Sequence, residues 1–474
     1  MGAPGPSTLA APPRRDILRF LDAKTIHFVS LGCPKNRVDT EVLAGVATDL
    51  GMTLVPDADG AEVIVVNTCG FIGPAKEESV ETILEMAEHR LHGRCRRLVV
   101  AGCLSQRYPE DLAREFPEVD NFLGTSDLLA LGPVLRGEAA RQGVGEAGRF
   151  VYAATTPRLP TTARHTAYVK IAEGCSRRCA FCVIPSMRGD QQSRPVDDVV
   201  REVRALVAGG VVEINLVSQD TVSYGWDLRD GTTLAKLVRT VARVDGVRWL
   251  RLHYLYPQRL TEDLVDAIAE EDTVVKYVDM PLQHASTRML GIMRRGVGGD
   301  RQRRLIERLR TRIEGLVFRT TFIAGHPGET EADFEELCDL VRWGRFDHVG
   351  VFRYSDEEGT PAFDRTDKVP ARDAARRHRT LMSLQRRIAR DLNRARVGKV
   401  LDVLVDGVSD ESDLLLEGRH AGQAPEVDGK VLLTDGTARQ GDIRRALVVQ
   451  ASDYDLVASL DPSARRPVHL PVAG

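Results

Sequence analysis

The sequence predicts a mixed α/β protein in three blocks: a parallel α/β domain first, an open six-unit (β/α)6 partial barrel in the centre, and a small all-β barrel of the OB-like kind at the end. Three observations carry that expectation. Short β-branched runs alternate with helical stretches through the first three quarters of the chain, a pattern that calls for parallel strands joined by crossover helices. A stretch with little apolar periodicity, Gly132 to Thr162, divides the alternation in two. After Val397 the helical signal stops, and strands follow one another across Gly and Asp turns. At 474 residues and 43% hydrophobic content, the chain is long enough for about three domains.

The expected boundaries are a flexible leader at 1–24, the N-terminal domain at 25–140, a linker at 141–162, the barrel core at 163–389, the C-terminal barrel at 390–460 and a tail at 461–474. The leader, MGAPGPSTLAAPPRRDILRF, lacks the basic-then-apolar order of a secretory signal. Pro6 stands where a myristoylation motif needs Ser or Thr, and no apolar stretch is long enough to span a bilayer. These features predict a soluble cytoplasmic protein with no membrane partner. The formal charge of −3 gives no global reason to expect nucleic acid or an anionic membrane. In a reducing compartment the eight cysteines are not expected to form disulfides, so clustered ones point to metal or catalysis.

In the first block the strands are TIHFVSLGC, EVIVVNTCG and RLVVAGCLS, with a helix from Pro74 to Leu91 after the second. Cys33, Cys69 and Cys103 each follow a strand, about one βα unit apart. The carboxyl ends of parallel strands form the functional edge of such sheets, so the three are expected to meet there. In the second block the six strands are TAYVKIA, VEINLVS, RWLRLHYLY, VVKYVDM, VFRTTFIAG and DHVGVFRYS. The intervening helices are Pro195 to Val207, Leu234 to Val244, Glu262 to Glu270, Asp300 to Ile313 and Glu331 to Trp343. The strand ends then present to one mouth the loop EGCSRRCAFCVIPSMRG, Gln219 and Asp220, Tyr256 and Pro257, Gln283 and His284, Gly325 to Glu329, and Tyr354 and Ser355. A helix from Ala371 to about Arg396, with Leu381, Leu384, Ile388 and Leu392 on one face and many arginines elsewhere, leads to the strands KVLDVLVDG, DLLLEGR, GKVLLTDG and RRALVVQA.

Cys175, Cys179 and Cys182 let one short loop hold three corners of an iron–sulfur cube, leaving one iron without a protein ligand. Zinc is the alternative, but structural zinc sites close with four ligands, and each trio here has three cysteines and no His at finger spacing. For Cys33, Cys69 and Cys103, buried packing is the competing reading. Cys338, among Phe334, Leu337 and Val341, is expected in a core. Cys95 receives no role.

The spacing CxxxCxxC, with Phe181 before the last cysteine, closely resembles the hallmark of the radical S-adenosylmethionine (SAM) superfamily. LGCPKNRVDTE, VVNTCGFI, SQDTVSYG, LHYLYP, DMPLQHAS, TTFIAGHPGET, VFRYSDEEGTPA and QAPEVDG extend the resemblance to the methylthiotransferases of the RimO type. Their fold is a radical SAM barrel flanked by an N-terminal domain and a TRAM module. The resemblance implies two [4Fe-4S] clusters, one on Cys175, Cys179 and Cys182 and an auxiliary one on Cys33, Cys69 and Cys103. It implies SAM used as methyl donor and as radical source, and transfer of a methylthio group to the β-carbon of an aspartate in small-subunit ribosomal protein S-twelve. An electron donor such as flavodoxin or ferredoxin is implied as a partner. Phe181, Gln219, Gly325 and Glu329 become candidate SAM contacts; helix capping and turn geometry are the competing readings for Gln219 and Gly325. His326 departs from the aromatic residue usual there and is given no role.

Two alternatives stay open: a MiaB-type tRNA adenosine methylthiotransferase, and a zinc-stabilised module that binds RNA or the ribosome. From Val397 to Leu460 there are six Lys and Arg against twelve Asp and Glu. RNA affinity draws on cations, so this balance favours a basic protein partner, unless the acids serve only solubility. The arginines of the preceding helix are read as a solvated face, with RNA contact as a secondary possibility.

Overall fold

The computed structural model describes residues 23–461; nearly all of the expected leader and tail therefore lie outside the described residues. The chain forms two compact units, Met1–Phe150 with Thr156–Leu159, and Val151–Thr155 with Pro160–Gly474.

In the first unit the strands β1 (Thr25–Ser30), β2 (Thr53–Leu54), β3 (Val63–Thr68), β4 (Arg97–Gly102), β5 (Asn121–Leu123) and β6 (Gln142–Gly143) form a parallel sheet in the order β2-β1-β3-β4-β5-β6. β3 and β4 are buried along their whole length, as the near-continuous Val and Ile of a strand covered on both faces require. Helices Pro34–Asp49 and Gly73–His92 make the crossovers. The segment read as a linker begins as part of this sheet: Leu131–Leu135 is helical and β6 pairs with β5. A strand of two residues is too short to leave a periodic signal, which is why composition misread it. Cys95 packs in this unit's core, with its thiol donating to the Arg97 carbonyl at 3.1 Å.

In the second unit all six expected barrel strands form: β7 (Thr166–Lys170), then, after the short antiparallel pair β8 (Ala172–Glu173) and β9 (Gln192–Ser193), β10 (Glu213–Val217), β11 (Trp249–Leu252), β12 (Tyr277–Asp279), β13 (Val317–Ala324) and β14 (His348–Arg353). They run in two parallel sheets of three, β11-β10-β7 and β12-β13-β14, joined by a parallel bridge from Leu250 to Val274. The observed helices, Val196–Ala208, Leu234–Ala242, Glu262–Glu270, Gly299–Arg312 and Glu331–Gly344, match the expected ones within a residue or two. Their apolar faces and the strands share one core that includes Cys338, 1% exposed.

The C-terminal strands β15 (Val400–Ser409), β16 (Ser412–His420), β17 (Val431–Thr434), β18 (Ile443–Ala451) and β19 (Leu456–Ser459) close into a barrel, β15-β16-β17-β19-β18. The fifth strand, LVAS, has no counterpart in the sequence reading. The loop between β16 and β17 lies across the amino-terminal side of the β/α barrel: Arg251 donates to the Ala421 carbonyl at 2.9 Å, Tyr168 to the Pro425 carbonyl at 3.2 Å, and Tyr277 to Asp428 at 2.7 Å. This gives the QAPEVDG segment a structural role, sealing the end of the barrel opposite the strand mouths.

The helix Ala371–Arg394 buries Leu381 and Ile388 as expected. Its arginines are not simply a solvated face. Arg377 is 5% exposed and paired with Glu329 at 2.7 Å, while Arg390 and Arg396 bind Asp453 and Asp347. The excess of acid in the last barrel is likewise partly neutralised, since Asp406 pairs with Arg419, and Glu411 and Glu417 with Lys430. Asp402, Asp410, Asp413 and Asp435 remain exposed.

Candidate functional site

The three-cysteine loop begins where β7 ends. Ile171 bonds the Val217 carbonyl, β8 pairs with β9, and Gly174, at φ +75°, turns the chain into the motif. A Cβ on Gly174 would lie 2.3 Å from the Asp190 carbonyl oxygen and 2.8 Å from that of Arg188. The loop therefore requires glycine twice over, for its left-handed backbone and for its close crossing of the returning strand. Gly174→Ala is expected to lower the thermal midpoint by several degrees and to reduce iron uptake by this loop in anaerobic reconstitution; unchanged loading would contradict that role.

Cys175 and Cys179 are buried and Cys182 is half-buried, at one mouth of the barrel. Burial pushes the Cys175 thiol up to about 11 and that of Cys182 to about 12, so both are protonated at neutral pH unless a cation takes the proton's place. Behind the loop lies a buried ionic cluster: Glu173 binds Lys170 at 2.6 Å, Arg188 at 3.1 Å and the Gln219 amide at 3.2 Å. Burial alone would raise the Glu173 carboxyl, but Lys170 and Arg188 hold it at about 2. The Gln219 carbonyl oxygen has no hydrogen-bond partner among the described residues. Asp220 accepts from Arg177 at 2.6 Å, and Arg177 also reaches Gln258 and Ser223.

Phe181 stands edge-on to His326, with ring centroids 6.1 Å apart, and His326 in turn meets Tyr354 at 5.1 Å. The histidine thus fills an aromatic slot. Burial lowers its pKa to about 4, so it packs as a neutral ring. Gly325, at φ +80°, has its would-be Cβ 2.4 Å from that of Ala374, leaving no room for another residue. Glu329 is wholly buried and committed within the protein: its oxygens take the Gly325 N–H at 2.6 Å, Arg377 at 2.7 Å and His284 at 3.1 Å. Its role is to fix the Gly325 turn.

In the other unit, Cys33, Cys69 and Cys103 sit at the carboxyl ends of β1, β3 and β4. Cys33 caps the helix Pro34–Asp49 and Cys103 opens the helix Cys103–Arg107. The backbone draws them together: a Cβ on Gly32 would lie 3.1 Å from the Cys69 sulfur, and one on Gly70 would lie 2.8 Å from the Cys103 carbonyl oxygen. Asn36 ties the three strand ends, donating to the Leu31 and Thr68 carbonyls at 2.9 Å each and accepting from the Cys103 thiol at 3.7 Å. Asn67 braces it by donating to the Asn36 carbonyl at 2.8 Å, and the Ser79 hydroxyl accepts from the Cys69 N–H and donates to the Cys69 carbonyl. Asn36→Ala is expected to cost about 1–3 kcal/mol and to impair iron uptake by this trio; a wild-type urea midpoint and full loading would refute it.

Among the described residues no three His, Cys, Asp or Glu side chains close on one position as ligands of a single ion would.

The charged residues around the candidate cysteines were not singled out from the sequence. Arg177 was visible inside CSRRC and Lys170 and Glu173 within YVKIAEG, but nothing in the sequence marks Arg295. It donates to the Cys179 sulfur at 3.3 Å from 116 residues away.

Comparison with known proteins defines the class first. Residues 169–341 match the model of the radical SAM superfamily, residues 25–124 that of an uncharacterized protein family, UPF0004, and residues 397–460 that of the TRAM domain. The fold is also that of a radical SAM methyltransferase, TsrM from Kitasatospora setae, at a TM-score of 0.51 and 17% identity over 72% of this chain and 77% of the other. The particular family follows from full-length relatives. Proteins named ribosomal protein uS12 methylthiotransferase RimO are 59% identical in Sorangium cellulosum over 96% of this chain and 94% of the relative, and 49% identical in Myxococcus xanthus over 95% and 97%. The chain belongs to the RimO family of radical SAM methylthiotransferases. Among the described residues, no helix is long and apolar enough to cross a membrane.

Proposed function

We propose that this protein adds a methylthio group to the β-carbon of an aspartate in ribosomal protein uS12, in the cytoplasm. The observation that carries the reading is the near full-length similarity to uS12 methylthiotransferases, in a chain that keeps both cysteine trios at strand mouths. In this reading Cys175, Cys179 and Cys182 hold the cluster that engages SAM, and Cys33, Cys69 and Cys103 hold a second [4Fe-4S] cluster. When bound, these groups supply one-electron cleavage of SAM to a carbon-centred radical and an open iron for the sulfur to be transferred.

The chain's own residues bind and shield. Phe181 offers an apolar wall for adenine, and the Gln219 carbonyl oxygen is free to accept from the amino group of SAM. The Gly325 turn, pinned by Glu329, allows close backbone approach. Removal of hydrogen as an atom needs no base, and the neutral, buried His326 accords with that. An electron must enter from a small redox protein such as flavodoxin or ferredoxin. The exposed acids Asp402, Asp410, Asp413 and Asp435 suit a basic protein substrate better than tRNA.

The test is to incubate the reconstituted protein with SAM, sulfide and reductant, with uS12 in one reaction and unmodified tRNA in another, and to analyse both by mass spectrometry. Methylthiolation of an uS12 aspartate is expected. Modification of tRNA alone would overturn the reading.

A further inference from the structure

Arg295 is 3% exposed, yet among the described residues it forms no ion pair with a carboxylate. Its hydrogen bonds run from Nη1 to the Cys179 sulfur at 3.3 Å and from Nη2 to the Pro281 carbonyl at 2.7 Å, and its Nε has no hydrogen-bond partner among the described residues. The guanidinium stacks 4.0 Å from the centre of the Tyr256 ring, as Arg177 does at the same distance, which two cations can do only from opposite faces. The Tyr256 hydroxyl donates to the Arg295 carbonyl at 2.7 Å and stands 3.9 Å from the Cys179 sulfur. Ring, guanidinium and sulfur are therefore locked together. The equally buried Arg188, Arg194, Arg251, Arg377 and Arg419 each face a carboxylate. An arginine is always charged and is costly to bury without an anion. The group that faces it here is the Cys179 sulfur, which becomes an anion on ligating a cluster.

We infer that Arg295 is the counter-charge of the Cys179 thiolate and a positioning residue that raises the reduction potential of the cluster this thiolate holds. The inference rests on the assignment of Cys175, Cys179 and Cys182 as cluster ligands. A fixed positive charge and an N–H donor at a ligating sulfur stabilise the reduced, more negative cluster more than the oxidised one. Arg177 is engaged by Asp220, so it contributes less net charge at the sulfur.

The test is a potentiometric titration of the anaerobic full-length protein, following the electron paramagnetic resonance signal that responds to added SAM. If the wild type shows no such signal, the cluster assignment itself fails. Given the signal, Arg295→Met is expected to disfavour reduction about tenfold, a midpoint about 59 mV more negative for one electron. Arg295→Lys, which keeps the charge, is expected to stay within about threefold of wild type, a shift of under about 30 mV. A wild-type midpoint in Arg295→Met would overturn the inference. Should Arg295→Met take up no iron, Arg295→Gln replaces it, with the same expected direction and the same refuting result. If both neutral variants fail to assemble while Arg295→Lys assembles, the charge requirement stands; if Arg295→Lys also fails, shape rather than charge is the function of this residue and the inference falls.

Discussion

Replacing any one of Cys175, Cys179 or Cys182 with alanine is expected to abolish both cleavage of SAM to 5′-deoxyadenosine and modification of uS12. Replacing Cys33, Cys69 or Cys103 is expected to abolish modification while SAM cleavage continues. The asymmetry follows from the placement of the two trios. The first lies at the mouth of the β/α barrel beside Phe181, Gln219 and the Gly325 turn, the proposed surroundings of SAM. The second is built on a different sheet, braced by Asn36 and Asn67. Both products can be read from one reaction, the nucleoside by chromatography and the modified protein by mass spectrometry. Loss of SAM cleavage in the Cys69→Ala protein, with its Cys175 loop still loaded with iron, would refute the division of labour.

Arg419→Met is expected to destabilise the second unit by about 3–5 kcal/mol, the range for removing one partner of a buried ion pair. Arg419 reaches from the C-terminal barrel to Glu213 at 2.8 Å and to Asp406 at 2.8 Å; Glu213 is fully buried and also bound by Arg251 at 3.2 Å. Removing Arg419 leaves the Glu213 carboxylate sharing one cation at the seam between the barrels. Urea unfolding followed by circular dichroism measures the loss, and a change below about 1 kcal/mol would place the pair among weak contacts. Glu213→Gln combined with Arg419→Met should recover part of the loss, because the uncompensated charge is gone. The same pair sets a pH dependence. Burial would raise the Glu213 carboxyl, but Arg419 and Arg251 hold it at about 2, below its ordinary 4.5. A carboxyl depressed by folding stabilises above its unfolded pKa, so this contribution is complete above about pH 4.5 and is lost as pH falls toward 2. Acid unfolding of Glu213→Gln should accordingly be shallower across that window.

Much of this architecture was legible because hydrophobic period and turn chemistry mark it locally. The runs EVIVVNTCG and VFRTTFIAG are strands by composition alone, and the helix Glu262–Glu270 forms where it is expected. What escaped notice was short or non-local. β6 and β19 are two and four residues long, too short to leave a period to detect. The cysteine spacing marks one trio as a candidate, and the strand ends mark the other. The electrostatics around them stayed hidden, since Arg295 meets Cys179, and Arg377 meets Glu329, only through the tertiary fold. Glu329 illustrates the limit: its place in the Gly325 turn suggested contact with SAM, whereas its carboxylate is occupied by protein donors.

In the proposed function each cysteine trio carries its own four-iron cluster with one iron left open. Iron and sulfide analysis with Mössbauer spectroscopy on the anaerobically reconstituted protein tests it most directly. Wild type should hold about eight irons as two [4Fe-4S] clusters, and the protein with Cys33, Cys69 and Cys103 all replaced by alanine should hold about four, with a spectrum that changes when SAM is added. A wild-type protein with a single cluster, or with zinc in place of iron, would contradict the account.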